Sequence, residues 1–137
     1  MQFRPNSFKL YELIDPWTYE AYGETAWEFL DPLALRSLQK LRDNFGKATV
    51  NDWKWGGKRK YAGFRPPQCR VGAKLSQHRL GRGFDPIFSD ATSEEIRESI
   101  KNGIIFLPGV GAIENIVSWF HFDTRPTVDG QIKWFNP

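Results

Sequence analysis

Two histidines occur in the 137-residue chain, and their settings constrain the fold more than any other sequence feature. His78 begins a polar, glycine-containing segment that reaches Asp85, and His121 lies in an aromatic segment that is followed by Asp123. A neutral imidazole is the commonest metal ligand, and two imidazoles with one carboxylate suit zinc while leaving a fourth position open. We therefore predict that the fold brings His78, Asp85 and His121 around one zinc ion. The alternative is two unrelated imidazoles, one packed in the core and one on the surface.

The spacing within each segment supports a single site. Gly81 and Gly83 allow a tight backbone path, so that the two ligands on either side of them can converge on one ion. Successive side chains of a strand alternate faces, which would place His121, Asp123 and Arg125 in one row with Trp119. The phenylalanines between them, at positions 120 and 122, would then enter the core.

Length and composition limit the class of protein. The length favours one domain, covering residues 1–137. A net charge of +3 implies no strong polyelectrolyte partner, and a single cysteine, Cys69, excludes an internal disulfide framework. The chain has no apolar run that could span a bilayer, and its amino terminus lacks the layout of a secretory signal. We expect a monomer made in the cytoplasm without membrane contact, delivered by other means if its target lies outside the cell.

Capping signals and hydrophobic periodicity predict an α+β fold. A capping-box pattern at Thr25 predicts a short helix, Asp31-Pro32 predicts a helix that ends at Gly46, and Thr92 predicts a helix that ends near Asn102. Strands are predicted at residues 48–53, 104–107, 116–123 and 131–135, the last two joined by a turn at 129–130. This order favours helices packed against a small, mainly antiparallel sheet that carries the zinc site.

The loop-rich segment 54–74 carries Lys54, Lys58, Arg59 and Lys60 among aromatic residues. Aromatic rings among cations can bind single-stranded nucleic acid. The modest net charge instead favours a solvated loop whose tryptophans turn inward, and no specific nucleic-acid partner.

A zinc site of this kind can support amide hydrolysis if a carboxylate serves as general base. Asp123 and Glu114 are the acids close to His121 in sequence. Asp123 has a second possible role, as the partner that orients a ligand imidazole. Both residues remain candidates for the base.

The pattern Ser76-x-His78-x-x-Gly81-x-x-x-Asp85, followed by Trp119-Phe120-His121, resembles the zinc D-alanyl-D-alanine peptidases. That family includes bacterial carboxypeptidases and phage endolysins, and it shares its fold with the hedgehog signalling domain. The similarity is greatest to a phage-encoded branch and covers nearly the whole chain. The resemblance implies a metallopeptidase that cuts D-alanine-containing peptides of cell-wall peptidoglycan, acting on the wall after release or as part of a virion.

The resemblance also implies roles for individual residues. His78, Asp85 and His121 would be the zinc ligands, Ser76 would hydrogen-bond near the ligand or substrate, and Arg65 would meet a substrate carbonyl or carboxylate. One position departs from the family, because well-studied members carry the catalytic acid three residues before the last histidine, where this chain has Ser118. Either Glu114 or Asp123 replaces that acid, or the chain is a non-catalytic, zinc-stabilised virion or wall-binding module.

Overall fold

Residues 2–137, which the computed structural model describes, fold into three α-helices and six short strands of the α+β class. The helices are α1 (Pro16–Tyr22), α2 (Pro32–Phe45) and α3 (Ser93–Lys101). The strands are β1 (Ala48–Thr49), β2 (Gly83–Phe84), β3 (Ile87–Phe88), β4 (Ala112–Glu114), β5 (Phe122–Asp123) and β6 (Lys133–Phe135). Four 3₁₀ turns complete the described regular structure, at Leu10–Glu12, Gly23–Phe29, Trp53–Trp55 and Gln77–Leu80.

Two of the predicted helices form where their capping residues indicated. Asp31 caps α2 by accepting a hydrogen bond from Leu33 N, and Gly46 ends the helix with a positive φ of 88°. Thr92 caps α3 by accepting from Glu95 N. In both helices the apolar stripe is buried, so capping and periodicity agree with tertiary packing.

The main sheet has the strand order β2-β5-β4-β6. β5 pairs antiparallel with both neighbours, and β6 pairs parallel with β4. Asp123 of β5 therefore lies between Gly83 of β2 and Ala112 of β4. β1 and β3 form a separate antiparallel pair. The predicted mainly antiparallel sheet is confirmed.

One hydrophobic cluster joins the amino-terminal segment, all of the main elements and the sheet. Phe120 and Phe122 are fully buried in it, as predicted from the alternation of side chains along residues 116–123. His121 and Asp123 alternate with these two phenylalanines along the chain. Their side chains therefore face away from this core.

Several boundary predictions were wrong. Thr25 lies inside a 3₁₀ turn, Gly23–Phe29, and the first α-helix begins earlier, where Asp15 caps α1. The strand predicted at 48–53 is limited to β1, and residues 104–107 form no strand within the described chain. The strand predicted at 116–123 is reduced to β5, and β6 pairs parallel with β4 in place of the expected hairpin.

Candidate metal centre

His78 is held by the 3₁₀ turn Gln77–Leu80. Ser76 caps this turn, and its Oγ accepts a hydrogen bond from His78 N over 3.3 Å. The imidazole Nδ1 donates to the carbonyl oxygen of Gly63 over 2.8 Å, which directs Nε2 away from that carbonyl. That Nε2 lies 3.2 Å from Asp85 Oδ1. The backbone carbonyl therefore orients the His78 ring and sets the direction of Nε2.

Two glycines let the chain approach closely around this turn. A Cβ on Gly63 would lie 2.2 Å from the carbonyl oxygen of Leu13. A Cβ on Gly81, which has a φ of +72°, would lie 1.8 Å from the carbonyl oxygen of Phe29. Any side chain at either position would push the His78 segment away from the amino-terminal part of the chain.

His121 is held between two carboxylates. Its Nε2 lies 2.8 Å from Asp123 Oδ2, and its Nδ1 lies 2.7 Å from Asp85 Oδ1. Asp123 is completely buried, and Arg125 donates to both of its oxygens, from Nε over 2.8 Å and from Nη2 over 2.6 Å. Because both oxygens of Asp123 are engaged, this residue sets the orientation of the His121 ring and directs Nδ1 toward Asp85.

The charges in this cluster stabilise one another. Burial alone would lower the pKa of His121, but its hydrogen bonds to Asp123 and Asp85 outweigh burial and raise that pKa to about 9. Burial would raise the pKa of Asp123, but the hydrogen bonds from Arg125 and His121 lower it to about 2. In the same way, His121 and His78 hold the pKa of Asp85 well below its usual value, against the effect of burial. Without a metal, the site is therefore an imidazolium between two carboxylates.

The three predicted ligands fit a metal ion. One donor atom from each of His78, Asp85 and His121 lies within 4.8 Å of the other two. One nitrogen of each ring is hydrogen-bonded to another protein oxygen, and the remaining nitrogens, His78 Nε2 and His121 Nδ1, both lie against Asp85 Oδ1. Two nitrogens and a carboxylate oxygen are the donor types that zinc prefers, so the chemistry of this group suits such an ion. The group can hold a metal ion, and zinc as its identity stays a prediction.

A pocket of about 460 Å³ is lined by all three ligand residues. Its wall also contains Arg65, Ser76, Glu114, Trp119, Arg125 and Phe135. Six of the seven predicted site residues therefore line one pocket. The seventh, Asp123, lies behind His121 and does not reach the pocket surface.

Arg65 is fixed at the side of this pocket. Its Nε donates to the carbonyl oxygen of Tyr61 over 2.8 Å, and its Nη2 lies 3.7 Å from Asp85 Oδ2. Its Nη1 lies 2.4 Å from where a Cβ on Gly72 would be, so the guanidinium passes directly over that glycine. Burial lowers the pKa of Arg65, while the charge of Asp85 opposes the change. The planar group is thus preorganised beside the candidate metal position.

Glu114 ends β4 directly opposite the second histidine, because its backbone nitrogen donates to the carbonyl oxygen of His121 over 3.3 Å. Its side chain accepts a hydrogen bond from Trp119 Nε1 over 3.1 Å, at the wall of the pocket. Ser118 is exposed and lines a different pocket, and its carbonyl oxygen accepts a hydrogen bond from Ser93 Oγ. Glu114 therefore offers its carboxylate to the pocket, whereas Ser118 does not face it.

The loop between β4 and β5 is held by Arg97 of α3, a residue that was not predicted to have a structural role. The buried guanidinium donates to the carbonyl oxygens of Val117 over 2.8 Å and Trp119 over 3.1 Å, and contacts that of Glu114 at 3.5 Å. Ile116 in this loop has a φ of 60°, an unfavourable backbone conformation for a β-branched residue, and its side chain is 77% exposed. The position of Arg97 next to the apolar stripe of α3 was the sequence feature that could have indicated a buried arginine.

Arg59 also differs from the prediction of a solvated loop. Its Nε donates to the carbonyl oxygen of Val50 over 2.7 Å, and its Nη2 donates to the carbonyl oxygen of Asp85. Trp53 turns inward as expected and donates to Ile14 O, but Trp55 is 63% exposed. Arg59 therefore connects the loop to the backbone of Asp85, a candidate metal ligand, and the two tryptophans behave differently.

Comparisons with protein-family models, curated proteins and solved structures find no match for this chain. A function must therefore be argued from the chemistry of its own residues. Among residues 2–137, no helix combines the length and the apolar character needed to cross a membrane.

Proposed function

We propose that the chain is a zinc metallopeptidase that hydrolyses D-alanine-containing peptide bonds of bacterial peptidoglycan, in association with a phage. The observation that carries the proposal is the convergence of His78, Asp85 and His121 on one point in the wall of a pocket that also contains Glu114 and Arg65. Support for the D-alanine peptide as substrate comes from the resemblance of the two histidine motifs to that peptidase family.

The three ligands would hold the zinc ion, and their geometry supports this role because one nitrogen of each imidazole is hydrogen-bonded to a protein oxygen, which orients both rings. A bound zinc ion would polarise the scissile carbonyl and make water a better nucleophile. Asp123 serves His121 by orienting its ring and is too completely engaged to exchange protons with substrate.

Glu114 is then the general base. It removes a proton from the attacking water as the water oxygen bonds to the carbonyl carbon, and it returns the proton to the leaving amine as the carbon–nitrogen bond breaks. Arg65 holds a carbonyl or carboxylate oxygen of the substrate with its guanidinium, and Ser76 stabilises the turn that presents His78.

The test is Glu114→Gln, with Glu28→Gln as an exposed control far from the pocket. Zinc content is confirmed in each protein, and release of new amino groups from purified peptidoglycan is measured. Glu114→Gln should lower the rate by about two to four powers of ten, the usual scale for a general base. The control should act like the parent, and a chelator should abolish activity until zinc is restored.

The second candidate is a non-catalytic zinc-stabilised virion or wall-binding module. Ser118 favours it, because the position where related peptidases carry their acid is a serine that faces another pocket. A parent protein that binds zinc and sedimented peptidoglycan but releases no amino groups would establish this second function and refute the first.

A further inference from the structure

A second pocket, of about 400 Å³, adjoins the metal centre. It shares three wall residues with the first pocket, namely Arg65, Asp85 and Trp119. Its far wall carries Lys58 and Lys60. The two pockets therefore adjoin at these three residues, one with the candidate metal ligands in its wall and the other with basic residues, and together they make up the cleft.

The basic end is held in place. Arg59, which lies between the two lysines, donates through its side chain to the carbonyl oxygens of Val50 and Asp85. Its backbone nitrogen donates to Asp52 Oδ1 over 2.9 Å, and its carbonyl oxygen accepts from Asp52 N over 3.0 Å. A single arginine thus connects the backbone of the lysine segment to that of Asp85, so both lysines begin from a backbone held beside the candidate metal site.

Charge in this second pocket is unbalanced. Four cationic side chains line it against one carboxylate, that of Asp85, which is already engaged by both histidines. The guanidiniums of Arg59 and Arg65 are committed to protein oxygens. The ammonium groups of Lys58 and Lys60 are exposed, and they are the cations available to a ligand.

We propose that this second pocket is a subsite for acidic residues of the peptide substrate, whose carboxylates pair with Lys58 and Lys60. The proposal rests on the proposed function in taking a peptide as the substrate, and it adds that the peptide is anionic beside the bond that is cut. A nucleic acid is less suited to this surface, because Trp53 turns inward and the exposed Trp55 is not part of the cleft. The aromatic rings in the wall of this pocket are Tyr61 and Trp119, and Trp119 Nε1 already donates a hydrogen bond to Glu114.

The test measures binding with four fluorescein-labelled peptides. Two carry a Glu-Glu pair and two carry Gln-Gln, and each pair ends either in D-alanyl-D-alanine or in L-alanyl-L-alanine. Binding is followed by fluorescence anisotropy with the zinc-loaded Glu114→Gln protein, so that cleavage does not deplete the probe. At low salt the Glu peptides should bind about three- to tenfold more tightly than the Gln peptides, and high salt should remove the difference.

The same preference should disappear in a Lys58→Gln/Lys60→Gln protein and persist in a Lys47→Gln/Lys133→Gln control, which removes two exposed lysines outside the cleft. Equal binding of Glu and Gln peptides, or a preference that survives the first substitution pair, would overturn the subsite. A labelled oligodeoxythymidine that binds more tightly than any peptide would also overturn it and assign the surface to nucleic acid.

The peptide ends separate this proposal from the proposed function. A preference for Glu that is equal for the D- and L-alanine peptides supports the acidic subsite and counts against a D-alanine substrate. A preference for D-alanine without a preference for Glu supports a D-alanine substrate and counts against the acidic subsite.

Discussion

Zinc binding should displace a proton from His121, and its affinity should therefore depend on pH. In the metal-free protein, hydrogen bonds to Asp123 and Asp85 raise the pKa of His121 to about 9, so the ring is almost fully protonated at pH 7. A metal needs the Nδ1 lone pair, which carries a proton in that state. Two pH units separate pH 7 from this pKa, so removing the proton makes the free energy of zinc binding at pH 7 less favourable by roughly 3 kcal/mol.

The expected result is an affinity for zinc that rises about tenfold per pH unit between pH 7 and pH 8.5. Competition with a chromogenic chelator measures the affinity, and calorimetry in buffers of different ionisation enthalpy counts the protons released, which should be close to one per zinc at pH 7. Asp123→Asn removes one of the two carboxylates that raise the pKa, so this variant should release fewer protons. Binding that is independent of pH, with no proton released, would refute the assignment of His121 as a charged ring between two carboxylates.

The same shift predicts how the metal-free protein responds to alkali. The pKa of His121 is raised above its unfolded value of 6.5, so its charge stabilises the fold fully below that pH, and the contribution is lost as the pH rises through about 9. The loss amounts to roughly 3 kcal/mol, and urea unfolding at pH 7 and pH 9.5 in the presence of a chelator should detect it. With zinc bound, the difference between the two pH values should be much smaller.

Three further predictions concern single residues. His78→Ala and His121→Ala should each lose bound zinc by elemental analysis and melt at a lower temperature than the zinc-loaded parent, and full zinc content in either would contradict the site. Arg65→Lys should lower kcat/KM on peptidoglycan peptides, because the planar fork is lost, whereas Arg70→Lys at an exposed position should not; equal effects would remove Arg65 from the site. Arg97→Met should lower the free energy of unfolding by about 2–4 kcal/mol, since the carbonyl oxygens of Val117 and Trp119 lose their donor, and a loss under about 1 kcal/mol would show that the loop does not depend on Arg97.

The grouping of His78, Asp85 and His121 could be predicted because its sequence signals are local and rare. A chain with two histidines offers few alternatives, and the glycines after His78 point to a tight turn that Asp85 can complete. The helices α2 and α3 were predictable for a similar reason, since a capping side chain and an apolar stripe act within a few residues of one another.

The strands were harder to predict because their partners are distant in sequence. β4 has three residues and pairs parallel with β6, a contact that no local pattern specifies. Long charged side chains were also misjudged, because the guanidiniums of Arg59 and Arg97 reach carbonyl oxygens that the fold brings near them from other segments. Such contacts depend on the finished fold, and sequence spacing does not encode them.

The two glycines beside His78 have a consequence for how small the protein can be made. All three candidate metal ligands lie in the second half of the chain, yet Gly63 and Gly81 fit against carbonyl oxygens of Leu13 and Phe29 in the first. The amino-terminal segment therefore packs against the turn that carries His78 and helps to fix its position, although it contributes no candidate ligand. A fragment beginning at residue 46 would carry every ligand and would still lack the surface that gives them their spacing.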